Sequence, residues 1–142
     1  MQMTHILLPV DGSIHSKDAT DYAVYLAKLS GARVTAVCCY EWCSNLYEVT
    51  QSAIDELKDK LRKNAEQIID ETKEKLAAAG IDYEAETVSG APGVVLTKMI
   101  KSKEFDLVVM GSHGHSDIGG LFLGSITHKV LNKIYCPVLI VP

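Results

Sequence analysis

The chain has 142 residues, 47% of them apolar and 23% charged, a balance that fits one globular domain, spanning residues 1–142, with a core of its own. A net charge of −4 without any long run of Lys or Arg argues against nucleic acid as a main partner, because phosphate-backbone binding needs clustered cations. No apolar stretch approaches the roughly 20 residues of a membrane span and no signal peptide opens the chain, so the expected compartment is the cytoplasm.

Thr4 to Val10 is a short apolar run that ends at Asp11-Gly12, which predicts a buried strand. Ser16 is placed to cap a helix from Lys17 to about Ser30, with Ala19, Ala23, Leu26 and Ala27 on one face and Gly31 as its stop. Arg33 to Tyr40 predicts a second strand. It carries Cys38 and Cys39, whose side chains must point to opposite faces. With Cys43 and Cys136 they form no C-x-x-C or zinc pattern, and they read as free thiols in a reducing compartment.

From about Glu48 to Ala79, apolar positions recur at Ile54, Leu57, Leu61, Ala65, Ile68, Thr72, Leu76 and Ala79. Steps of three or four predict one long helix with a solvated Lys/Glu face, closed by Gly80. Ile81 to Val88 is a weaker strand. Ser89-Gly90-Ala91-Pro92 turns into a helix carrying Val95, Met99 and Ile100, with Pro92 suited to its first turn. Asp106 to Met110 predicts a fourth strand, about Ser125 to Lys133 a helix, and Pro137 to Val141 a last strand. Strands alternating with helices predict an α/β fold, an open five-stranded parallel sheet covered on both faces.

Between the fourth strand and its helix stand Gly111-Ser112-His113-Gly114 and, nine residues on, Gly124-Ser125. Glycines let backbone approach a ligand, and a Gly-Ser pair at a helix entry presents N–H groups and a hydroxyl to an anion. The same glycines could serve turn chemistry alone. Neither G-x-x-x-x-G-K-[ST] nor a G-x-G-x-x-G after the first strand is present, so the site is neither a P-loop nor a dinucleotide fingerprint.

The spacing G-x2-G-x9-G-[ST] at Gly111, Gly114, Gly124 and Ser125 resembles the nucleotide-binding signature of the universal stress protein family. Ile6 to Ser13 resembles that family's opening strand and acidic residue, DLVVMGSHG at 106–114 its typical wording, and Cys136 to Val141 its closing strand. The resemblance implies a Rossmann-like fold of the adenine nucleotide alpha hydrolase type with strand order 3-2-1-4-5. In that order the first and fourth strands flank the reversal of winding where such sheets bind ligands.

It further implies a binding module in a stress response that takes ATP, or ADP or AMP, with or without Mg2+. Backbone N–H groups at Gly111, Gly114, Gly124, Ser125 and Ile126 and the hydroxyls of Ser125 and Thr127 would hold phosphates. Asp11 would lie near the ribose or adenine, and Cys39 at the adenine; Asp11 has a rival reading as an Asx turn before Ser13. His115 stands where the family usually has Arg or Lys, and Asp117 adds a negative charge to the same loop; both reduce attraction for phosphate. No base is positioned for water, so at most a weak ATPase is implied, with no catalytic residue and no metal ligand assigned. The family's usual homodimer pairs the C-terminal strand across a two-fold axis. Two alternatives are a dimeric interaction module that binds no nucleotide and an ATP-dependent transferase or ligase. The latter would carry a serine-glycine-glycine loop after the first strand, which is missing.

Overall fold

The computed structural model describes residues 1–42, 50–115, 117 and 123–142. Its elements run β1 (His5–Pro9), α1 (Ile14–Ser30), β2 (Arg33–Tyr40), α2 (Gln51–Ala78), β3 (Tyr83–Ser89), α3 (Pro92–Lys101), β4 (Leu107–Gly111), α4 (Ser125–Leu131) and β5 (Val138–Val141). The five strands form one parallel sheet in the order β3-β2-β1-β4-β5. The expected start of the long helix at Glu48, and Cys43, lie outside the described residues. No helix among the described residues is long and apolar enough to cross a membrane.

The period-two alternation of the strands sorts the core into two layers. Ile6, Leu8, Val34, Ala36, Cys38 and Val109 pack under α1 and α2, against Ala19, Ala23, Ala65, Ile69 and Leu76. Leu7, Val37, Val108 and Met110 face the other way, against Leu96 and Ile100 of α3 and Val130 of α4. Cys38 and Cys39 fall on opposite layers, as alternation requires. Alanines at three of the α1 contact positions allow that helix to sit close on the sheet.

Two helix details differ from the sequence expectation. The cap of α1 is Ser13 rather than Ser16: its Oγ accepts the Ser16 N–H at 3.1 Å, and the Ser16 hydroxyl is turned inward onto the Ser13 carbonyl at 3.2 Å. The turn at Asp11 starts the helix one turn early. In α2 the expected apolar face is buried only from Ala65 onward, at Ala65, Thr72 and Leu76; Ile69 is buried where Ile68 was expected, Ile68 is half-buried, and Leu57 remains 38% exposed. The amino-terminal half of α2 extends past the part of the sheet it covers. A Lys75–Asp21 ion pair at 2.6 Å joins the carboxyl-terminal half to α1.

Strand β3 is the polar edge of the sheet. Tyr83 and Ala85 turn inward, whereas Glu84 and Glu86 are exposed, and Arg33 of β2 pairs with Glu84 at 2.5 Å. At the other edge β5 has β4 as its single strand neighbour and is made of Val138, Leu139, Ile140 and Val141.

Asp106 joins the amino-terminal ends of β1 and β4. Its Oδ2 accepts the Thr4 N–H at 2.8 Å, the Thr4 hydroxyl at 2.8 Å and the His5 N–H at 2.9 Å. The Thr4 backbone donor first, then its hydroxyl and the His5 N–H, hold the Asp106 carboxyl below the usual carboxylate range. A carboxyl lowered by folding stabilises the protein fully above its unfolded pKa of about 3.9, and this contribution fades as pH falls through the lower folded value. Asp106→Ala is therefore expected to lower the urea midpoint at pH 7, and to lower it less at pH 3. Equal losses at both pH values would contradict this.

Candidate functional site

The carboxyl ends of β1 and β4 meet where the winding of the sheet reverses, because β1 connects outward to β2 on one side and pairs with β4 on the other. After β1 the chain turns through Asp11 and Gly12, the latter with φ +82°, a left-handed conformation that glycine adopts without strain. Asp11 Oδ1 accepts the Ser13 N–H at 2.9 Å, an Asx turn. Its other oxygen, Oδ2, accepts the His115 N–H at 2.8 Å across the cleft. Both oxygens of Asp11 thus bind backbone, one locally and one in the glycine loop.

The glycines of the loop have separable reasons. Gly111 is the last, buried residue of β4, and a Cβ there would come within 2.6 Å of His15 Cβ and 2.9 Å of the His15 carbonyl carbon. It lets α1 lie against the sheet. A Cβ on Gly114 would sit 2.8 Å from Asp11 Oδ2, and one on Gly124 2.9 Å from His113 Cα and against the Asp117 carboxylate. Gly124 also donates its N–H to the Ser112 carbonyl at 2.7 Å, closing the loop on itself. The Thr127 hydroxyl is buried and donates to the Gly111 carbonyl at 2.8 Å, so its proton braces β4 against α4. The His115 side chain is exposed, and its Nε2 lies on the Gly12 side of the loop.

Asp117 supplies the charge inside the loop. Its Oδ2 accepts the Gly114 N–H at 2.5 Å, and its Oδ1 accepts the Ser125 N–H at 3.1 Å and the Ser125 hydroxyl at 3.2 Å. The Gly114 backbone donor first, then the donors of Ser125, keep the Asp117 carboxyl below its ordinary range.

Beneath the loop runs a narrow cleft of ≈70 Å³. Asp11, Gly111, Gly114, Ile126 and Thr127 line it on the loop side, and Cys39, Val37, Pro92, Leu96 and Met110 form an apolar wall. Burial, reinforced by Glu86, pushes the Cys39 thiol up to about 11, and burial, with Cys39 and Asp11, pushes Cys38 up to about 12. Cys39 therefore presents an uncharged thiol to the cleft at neutral pH. A wider groove of ≈630 Å³ opens beside it, past the ends of β2 and β3, between Tyr40, Trp42, Lys58, Leu61, Arg62 and Gly90.

Of the residues expected from the sequence, Asp11, Cys39, Gly111, Gly114, Ile126 and Thr127 line this cleft, Gly124 and Ser125 frame the loop above it, and His115 stands at its outer rim. Val37, Pro92, Leu96 and Met110 were not foreseen. Their signal was positional. Met110 is the penultimate residue of β4, and Pro92 opens α3 beside the end of β2, where a parallel sheet places its ligands.

Residues 3–142 match the sequence model of the Universal stress protein family. The universal stress protein YxiE of Bacillus subtilis is 34% identical over 143 residues, covering 96% of this chain and 97% of the relative. A universal stress protein crystallised in complex with cAMP is 29% identical, with a TM-score of 0.74 over 100% of this chain and 99% of its own. UspA from Lactobacillus plantarum superposes with a TM-score of 0.90 at 24% identity, over 100% of this chain and 99% of its own, a likeness of fold. The continuous match, the sheet order and the glycine loop agree: the chain belongs to the universal stress protein family.

Proposed function

We propose that the protein binds an adenine nucleotide, ATP or its mono- or diphosphate, in the cleft between β1 and β4, and that it serves as a binding module in a stress response. The observation that carries this reading is the convergence of the Gly114 N–H, the Ser125 N–H and the Ser125 hydroxyl on the two oxygens of one carboxylate. A loop that gathers donors around one anion has the chemistry to hold another, such as a phosphate. The apolar wall of Cys39, Pro92, Leu96 and Met110 suits the flat face of a base. The relative crystallised with cAMP supports an adenine nucleotide as the ligand class.

In this reading Gly114, Ser125 and Ile126 meet phosphate through backbone N–H groups, while Gly111, Gly124 and Thr127 shape the loop. Asp11 anchors His115 and offers its remaining lone pairs to a ribose hydroxyl. With both its oxygens held by backbone N–H groups, Asp11 is poorly disposed to activate water, which favours binding over turnover. Calorimetry with ATP, ADP, AMP and cAMP is expected to give a dissociation constant of micromolar order or tighter for at least one of them. No heat with any of the four up to millimolar concentration would overturn the reading.

The same reading includes a homodimer through β5, whose outer edge pairs with no other strand among the described residues and carries apolar side chains. Light scattering is expected to give twice the chain mass of 15.5 kDa, and Ile140→Lys to return it to the single mass. A monomeric wild type would remove the dimer from the reading.

A further inference from the structure

The anion cradle of this chain is filled by its own carboxylate. Asp117 lies three residues beyond Gly114 and eight before Ser125, and its two oxygens take up the Gly114 N–H, the Ser125 N–H and the Ser125 hydroxyl. Its Oδ2 also lies 3.4 Å from where a Cβ on Gly114 would be, and in contact with where one on Gly124 would be. The carboxylate thus fills the space that the second and third signature glycines leave open. An N–H makes one strong hydrogen bond at a time, so a phosphate oxygen and the Asp117 carboxylate cannot both have these donors. From Gly111 to Ser125 the loop contains no Lys or Arg, so His113, whose charge favours the Asp117 carboxylate, and His115 are the only side chains in it that can offset the repulsion between the two anions.

We propose that Asp117 is a specificity-determining residue of the cleft: a built-in anion that competes with phosphate for the cradle and penalises ligands in proportion to the negative charge they bring to it. This rests on the nucleotide reading above. The protein then favours adenosine or a nucleotide of low charge over the triphosphate. A phosphate enters the cradle only as the Asp117 carboxylate leaves it, so phosphate binding and loss of the Asp117 bonds to Gly114 and Ser125 are one event.

The test is calorimetry of the wild type and Asp117→Asn with adenosine, AMP and ATP at one ionic strength. Adenosine affinity is expected to stay within about twofold, because adenosine brings no anion to the cradle, while ATP affinity rises at least about tenfold in the variant, and AMP by less. Adenosine binding also reports that the variant is folded; if Asp117→Asn does not fold, Asp117→Ser removes the same charge and takes its place. Binding of all three ligands with an ATP-to-adenosine ratio that the substitution leaves unchanged would overturn this inference and leave the nucleotide reading standing. Binding of none of them by either protein would overturn both.

Discussion

Gly111→Val is expected to cost the fold about 3 kcal/mol and to lower Tm by on the order of 10 °C, the larger of two effects that the glycine signature allows to be separated. The added Cβ would meet His15 Cβ at 2.6 Å and the His15 backbone carbon at 2.9 Å. Backbone cannot rotate away as a side-chain tip can, so α1 must lift from β4. That movement opens the layer in which Ala19, Ala23 and Ala27 pack on Ile6, Leu8 and Val109. A thermal melt monitored by circular dichroism measures the loss. A variant melting within about 3 °C of the wild type would show that α1 yields at little cost.

Gly114→Val is expected to do the reverse, leaving the fold within about 1 kcal/mol of the wild type and weakening nucleotide binding at least about 100-fold. Here the new Cβ meets the tip of a side chain, Asp11 Oδ2, at 2.8 Å. Asp11 can swing aside, but the His115 N–H then loses its acceptor and the valine methyls project toward the cradle. Calorimetry with AMP, which brings a phosphate to the cradle, decides it. An affinity within threefold of the wild type would mean that the loop is only a connection between β4 and α4.

Most of the architecture was legible because the chain switches period cleanly. Among the described residues nine elements follow in the expected order, and Ile6, Leu7, Leu8, Val34 and Val37, within the runs expected as the first two strands, sit in the two core layers where alternation puts them. Boundaries were less legible where a side chain decides them. Ser13 and Ser16 are equally good caps by residue type, and only the Asx turn of Asp11 selects the first. In α2 the 3.6-residue period marks one face along the whole helix but says nothing of how far the sheet extends beneath it, so Leu57 was expected inside and lies 38% exposed.

At the site, the approach of Asp11 to the glycine loop followed from topology, but the division of labour among the glycines did not. A signature treats Gly111, Gly114 and Gly124 alike, whereas one abuts helix backbone, one a carboxylate and one its own loop. Asp117 was visible as a charge in the loop. That its carboxylate is turned inward onto Gly114 and Ser125 rather than outward to water is a matter of side-chain geometry that spacing does not encode.

The two borders of the sheet are chemically unequal, and that inequality would limit the size of the proposed assembly. Glu84 and Glu86 line β3, so two such borders brought together would place like charges side by side. The aliphatic border at β5 has no such repulsion. Any ladder extended from one five-stranded sheet to another through β5 leaves β3 on both outer flanks, ten strands in all, and the series terminates there. If β5 pairs as proposed, the acidic β3 borders left on both flanks, among the described residues, would stop the assembly at two chains rather than let it propagate as a fibril.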